Sequence, residues 1–394
     1  MRERIILFLI LGFDAIILLY SVSTLSITSH EADVYFNAHT FVNYITHIST
    51  TAFGENDYAL RLPMILFHLL SVVMLYLVSK PYVKRNTDRL WLILVYVLLP
   101  GVMSAALLVN SAGIMIFSLF LLLYLYQIKS KFIPLFLILL LFMDSAYAIL
   151  YFALFIYAFN KNNRYYMALT LLLFISNYFY YGVDAMGKPS GHFLDTLGLY
   201  ATIFSPVVFL FMIYVLYRNM VTKKDDITLY VGGIVFVVSL LLSFRQSIHI
   251  EHFAPYLMLL LPLSAQTFFS SYRVRLRMFR GGYRAMVMFG FVLLIIHFFL
   301  LLFNKGLYLF LEDPHDNFAY KTHIVKELAG ELHKQKITCV MAENENLQLR
   351  LKFYGITECS QSVLYEVPKD IVSDVTIRYV GRKVAAFNVT KSPI

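Results

Sequence analysis

IILFLILGFDAIILLYSVSTLSITSHEADVYF, residues 5–36, is the stretch that decides the fold. Its first part, residues 5–26, carries a single charged side chain, Asp14, in an otherwise apolar run. Wound as a helix, that run is about 33 Å long, enough to cross a hydrocarbon layer of about 30 Å. Arg2 and Arg4 precede it, as in a secretory leader, but no small-residue cleavage pattern follows, so it reads as a retained span. His30, Glu31 and Asp33 come directly after it. The opening helix therefore delivers two carboxylates and an imidazole to a membrane–water boundary, where low dielectric and neighbouring charge move proton affinities.

Working outward, the apolar pattern recurs. The spans read as 5–26, 61–79, 90–108, 113–127, 132–143, 147–159, 165–181, 199–217, 227–244, 255–270 and 285–304, about eleven in all. Hydrophobic residues form 59% of the chain and charged ones 14%, against about 25% charged in a soluble domain. The net charge of +9 does not point to nucleic acid, because the basic residues sit between apolar blocks and not on one patch. With the N-terminus inside, eighteen Lys and Arg fall in inner segments and only Arg61, Lys188, Arg245 and Lys305 in outer ones. The positive-inside rule thus sets the N-terminus in the cytoplasm and the C-terminus outside. Three outer segments are long, 27–60, 182–198 and 245–254, and chemistry is expected there.

From about Leu311 the composition becomes that of a soluble protein. Residues 319–335 read as an amphipathic helix, 337–341 as a strand, 346–353 as a helix, and 362–365 and 376–380 as strands. The expected division is 1–310, a membrane-spanning domain, and 311–394, a small α/β domain. Cys339 and Cys359 both lie in the latter, either as a disulfide in an oxidising compartment or as two buried thiols.

Several residues could carry chemistry. Phe53-Gly54-Glu55-Asn56-Asp57-Tyr58 leads to Arg61-Leu62-Pro63, with the acids at the positive end of a helix. Arg61 could pair with Glu31, with Asp33 or with a phosphate. Arg245, His249, Glu251 and His252 cluster before the tenth span, and the stretch from Tyr181 through Lys188 to His192 mixes aromatic and polar groups suited to a sugar. A divalent metal would draw on His249, His252 and Asp57, since imidazole and carboxylate suit zinc or manganese; the loose spacing assigns no metal ligand. Asp14, His68 and His297 lie within spans, where ionisable groups turn to the bundle interior and bond to one another.

The carboxylates after the first span, the pattern Phe-Gly-x-x-acid-aromatic-x-x-Arg-Leu-Pro, and His252-Phe253-Ala254-Pro255-Tyr256-Leu257 through Leu261-Pro262-Leu263 together resemble the GT-C fold glycosyltransferases that use lipid-linked sugars. The resemblance is to the bacterial protein-mannosyltransferase and aminoarabinose-transferase branch, glycosyltransferase family 39 and its neighbours. It implies an all-α multi-pass bundle with a small periplasmic α/β domain in the bacterial inner membrane. It also implies transfer of a sugar from a polyprenyl-phosphate donor to a lipid, glycan or protein acceptor, with inversion. On that resemblance the base is Glu31, with Asp33 as its rival. Arg61, Arg245 and Lys188 would meet the donor phosphate, and Asp57, Tyr181, His192, His249 and His252 would line the substrate. The chain departs from the family in two places. His30 stands where the first acid of Asp-Glu-Ala is usual. Asn110-Ser111-Ala112 stands where a later acid is often found, with Asp144 the nearest alternative. The competing reading is a transporter or flippase of a lipid-linked or small polar substrate, which should show repeated halves and polar residues at mid-bilayer. Neither is evident.

Overall fold

The computed structural model describes residues 2–182, 191–222, 225–317, 319–368 and 373–391. The chain falls into two compact units. One comprises residues 1–15, 64–106 and 110–297; the other comprises 16–63, 107–109 and 298–394. The division expected near Leu311 follows solvent environment, whereas these units follow packing, and the second takes the first outer loop together with the C-terminal segment.

The first unit is helical. Each of the apolar stretches read from the sequence is occupied by helix, but not all are straight. Among the described residues, Glu3–Thr24, Asp57–Val78 and Arg277–Leu302 are long and apolar enough to cross a membrane, and bent pairs bring the number to six if each pair is one span. Ala112–Gln127, Tyr147–Asn160 and Ile227–Ser243 are shorter apolar helices. The bends share a cause. Asn86–Val97 turns by 63° into Pro100–Leu107, Phe193–Phe204 by 107° into Pro206–Val221, and Ile250–Met258 by 43° into Leu261–Val274. In each pair a proline (Pro100, Pro206 or Pro262) sits at the first or second position of the second helix. Proline lacks the N–H that would continue the preceding helix, yet its fixed φ suits the first turn of a new one. The run 199–217, expected as one span, is thus broken at Ser205, whose φ of 63° lies in the left-handed region.

This unit holds one apolar core, to which Val72, Tyr96, Phe120, Tyr151, Tyr200 and Leu260 contribute. Two of the three ionisable groups expected within spans pair there: His68 Nε2 lies 2.6 Å from Asp14 Oδ2. His68 also stacks on Tyr96, whose hydroxyl bonds Ser71 at 2.6 Å. His297 joins neither, and its Nδ1 is buried without a hydrogen-bond partner among the described residues.

The second unit has its own core, with Ile324, Leu328, Leu332, Leu351 and Phe387 among its members. A four-stranded sheet runs in the order β1 (Met341–Ala342), β2 (Ser362–Glu366), β4 (Arg382–Lys391), β3 (Val375–Tyr379). β1 pairs with β2 in parallel, while β4 is antiparallel to both its neighbours. The expected helix over 319–335 is Ile324–Lys334 preceded by a single 3-10 turn, and the strand expected from Ile337 is confined to β1. β4 was not anticipated: Ala385 and Ala386 at its centre are weak strand formers, and burial between two neighbours decides the matter. Val380 (φ 50°) and Gly381 (φ 82°) make a two-residue reversal from β3 to β4, the left-handed pair a tight hairpin needs.

Cys339 and Cys359 form a disulfide with Cα atoms 5.5 Å apart, which settles the alternative left open by the sequence. It closes a loop spanning 20 residues of sequence separation. Replacing both cysteines by serine should lower the stability of this unit by about 3 kcal/mol on loop-closure grounds. Denaturant unfolding of the wild type with and without reductant checks this, and coincident curves would refute it.

Candidate functional site

Thr28-Ser29-His30-Glu31 starts the helix Ser29–Phe36 with a reciprocal cap. The Thr28 hydroxyl accepts from the Glu31 N–H at 3.1 Å, and Glu31 Oε2 accepts from the Thr28 N–H at 2.8 Å. Two of the four donors that every helix start leaves unpaired are satisfied in this way. The same carboxylate is gripped by Arg61, with Nε 3.0 Å from Oε1 and Nη2 2.9 Å from Oε2, a two-pronged pair. The Val109 N–H adds a fourth donor, 3.0 Å from Oε1. Glu31 is fully buried, and each oxygen holds two hydrogen bonds. Burial works against its ionisation, but the Arg61 charge and the hydrogen bonds from Arg61, Thr28 and Val109 prevail, holding the carboxyl below its ordinary value of 4.5.

Arg61 is equally enclosed. Its Nη2 also donates to the Ser26 carbonyl at 2.8 Å and its Nη1 to Leu25 O at 3.5 Å, with Asp57 Oδ1 3.8 Å away. Asp57 is itself occupied: Oδ1 accepts from the Tyr354 hydroxyl at 2.7 Å, and Oδ2 lies 2.7 Å from Lys326 Nζ. Tyr354 accepts from the Ile27 N–H at 2.9 Å, and Arg350 Nε donates to Ile27 O at 2.8 Å. Burial lowers Arg350 to about 10, against the opposing influence of Tyr354 and Glu31. The first outer loop is therefore tied to the C-terminal segment by a chain of ionic and phenolic groups. Tyr354→Phe would leave the Ile27 N–H and Asp57 each short of one partner, and a loss of about 1–3 kcal/mol is expected. Thermal unfolding of the purified variant measures it.

Asp33 is different. It is exposed on the same short helix, and its side chain has one hydrogen-bond partner among the described residues, Asn37 Nδ2 at 2.8 Å from Oδ1. The loop around it is set by Tyr35, whose ring stacks on His47 at 4.2 Å and whose carbonyl lies 2.8 Å from His47 Nε2. Asn43 Nδ2 donates to the Val34 and Tyr35 carbonyls, fixing the turn between the two short helices of the loop.

The structure thus brings Glu31, Arg61 and Asp57 together in the second unit, with Asp33 on the same loop. Arg245, His249, His252, His192 and Tyr181 belong to the first unit. There Arg245 and His249 are exposed, the rings of His249 and His252 lie 5.8 Å apart, and His192 Nδ1 is 3.2 Å from Asp195. Tyr181 is partly exposed at the end of Arg164–Tyr181, and Lys188 falls outside the described residues. Among the described residues no three His, Cys, Asp or Glu are grouped as a metal ion would require. Asp144 lies in the turn before the helix Tyr147–Asn160, its Oδ1 accepting from the Ala146 N–H at 2.8 Å. Tyr354, Lys326 and Arg350 were missed by the sequence reading; they lie far along the chain from the loop they hold, and no local pattern marks them.

No family model matches the sequence, and no curated protein sequence matches it. Among solved structures the chain is similar to ArnT from Cupriavidus metallidurans in the apo state, with a TM-score of 0.57 and 12% identity. The similarity covers 89% of this chain and 84% of that one. At such identity the likeness is one of fold: the chain has the GT-C fold of ArnT.

Proposed function

We propose that this protein is a membrane glycosyltransferase of GT-C type, transferring a sugar from a polyprenyl-phosphate donor at the outer face of a bacterial inner membrane. The observation that carries the reading is the ArnT-like fold over most of the chain, ArnT being an aminoarabinose transferase. The disulfide in the C-terminal segment agrees with an oxidising, periplasmic location for that part. The division at about residue 310 into membrane-spanning and periplasmic domains is part of the same proposal.

In the proposed reaction an acceptor oxygen or nitrogen bonds to the anomeric carbon as the carbon–phosphate oxygen bond breaks. Polyprenyl phosphate leaves with the electron pair, configuration inverts, and a first-loop carboxylate takes the acceptor's proton. Of the four carboxylates in the loop, Glu31, Asp33, Glu55 and Asp57, the two that follow the first span directly are Glu31 and Asp33. Glu31 would first have to release Arg61 or a backbone N–H to receive a proton, whereas Asp33 has lone pairs open to the surface. Asp33 therefore takes the role of base in this account, and the Glu31–Arg61 pair fixes the loop that presents it. The roles proposed for Arg245 and Lys188 toward the leaving phosphate, and for His249, His252, His192 and Tyr181 toward the sugar or acceptor, come from the family resemblance.

The test is transfer from lipid-linked sugars in membranes containing wild type, Asp33→Asn or Glu31→Gln, normalised to folded protein. Loss in Asp33→Asn with activity retained per folded molecule in Glu31→Gln supports the assignment. The reverse pattern returns the base role to Glu31.

A further inference from the structure

Residues 273–280, Arg-Val-Arg-Leu-Arg-Met-Phe-Arg, connect the helix Leu261–Val274 to Arg280–Leu302. The segment alternates arginine with apolar side chains that the fold leaves outside: Val274 is 85% exposed, Leu276 69%, Met278 88% and Phe279 65%. Arg284 follows one turn later, and the sequence contains no Asp or Glu between Glu251 and Glu312.

The five arginines do not have equal tasks. Arg273 pairs with Asp88. Arg280 donates from Nε to Arg275 O at 2.9 Å and from Nη2 to Arg273 O at 3.2 Å, satisfying carbonyls that the end of a helix leaves open. Arg284 Nε donates to the Tyr272 hydroxyl at 2.7 Å. Arg275 is exposed and lies face-on to Tyr283, its guanidinium carbon 4.2 Å from the ring centroid, so its N–H edge is held outward. Arg277 is exposed, and no partner is found for it among the described residues. Two guanidinium groups are thus left to bind anions, within a frame built by the other three.

We infer that this connector is a binding site for the phosphate headgroups of anionic phospholipids, with Arg275 and Arg277 as the phosphate contacts and Leu276, Met278 and Phe279 inserted beside the acyl chains. Two observations select a lipid surface as the occupant. The charge is wholly positive where the segment faces outward, which complements an anionic leaflet. Exposed apolar side chains resume on Arg280–Leu302, where Met286, Met288, Phe289 and Val292 are exposed, as a lipid-facing span requires. A nucleic acid could use the arginines and stack on Phe279, but it has no use for the exposed Val274, Leu276 and Met278 between them.

The experiment uses the purified full-length chain in detergent, titrated with phosphatidylglycerol or with phosphatidylcholine of identical acyl chains, bound lipid being counted by native mass spectrometry. Phosphatidylglycerol should bind preferentially, and Arg275→Gln/Arg277→Gln should weaken it about 30-fold, from about 1 kcal/mol per surface charge. Arg275→Lys/Arg277→Lys should keep most of the preference, and Met278→Ser/Phe279→Ser should weaken both lipids. Unchanged circular dichroism and elution verify that these surface variants fold. Equal binding of the two lipids, or full phosphatidylglycerol binding by the glutamine variant, would overturn the inference. So would displacement of the lipid by an equimolar single-stranded oligonucleotide.

Discussion

Replacing Arg61 by methionine is expected to remove about 3–5 kcal/mol of stability, because it leaves the Glu31 carboxylate buried without a counter-charge. Total stabilities of about 5–15 kcal/mol leave little after such a loss, so the variant should be recovered in low yield and elute as aggregate. The two backbone donors from Thr28 and Val109 remain but do not neutralise the charge. Arg61→Met combined with Glu31→Leu should be less damaging than Arg61→Met alone, since an apolar pair of similar volume needs no solvation. Glu31→Gln should fall between them, keeping some hydrogen bonds to Arg61 while losing the charge. Thermal unfolding of the set in one detergent measures the order. A double variant as unstable as the two single losses combined would contradict a direct pairing.

The pair also fixes a sign for acid sensitivity. Because Glu31 titrates below its ordinary value when folded, its stabilising contribution is complete above about pH 4.5 and fades as pH falls through the lowered value. Between pH 5 and 8 the pair should therefore add no pH dependence to unfolding.

Asp33→Asn should have the largest effect on activity, about 100- to 10,000-fold in turnover, the range for loss of a general base. Its effect on folding should be small. The side chain is exposed and bonded to Asn37, and an amide can keep that hydrogen bond while losing the basicity. Separation of the two properties is the signature: activity falls and the unfolding curve stays. Arg61→Met should show the opposite, activity per folded molecule surviving while the folded fraction falls.

Much of the fold was legible. The apolar runs stand out in the sequence, and each is occupied by helix. Among the described residues, however, three helices, or six counting each bent pair as one, are long and apolar enough to span, against the eleven spans read from hydropathy. The bends were legible in principle from Pro100, Pro206 and Pro262, each inside or beside an apolar run, but hydropathy alone averages over them. Within the site, the signature that explains Glu31 was also present: Thr28-x-x-Glu31 ahead of an amphipathic turn is a capping box. The family pattern drew attention to the carboxylate as a base and away from its local duty at the helix start. The links from Tyr354, Lys326 and Arg350 to residues 27 and 57 were not legible, since contacts about 300 residues apart leave no periodic trace. β4 was hidden for a related reason, its alanines being held in a strand by the neighbours on either side.

The most direct measurement is release of polyprenyl phosphate from a polyprenyl-phosphate-linked sugar by the purified protein in proteoliposomes, with acceptor lipids present. The account predicts acceptor-dependent release, inverted configuration in the product, and loss of both on Asp33→Asn. No release by the wild type, with labelled donor lipid instead crossing from one leaflet to the other, would contradict it and make the protein a transporter.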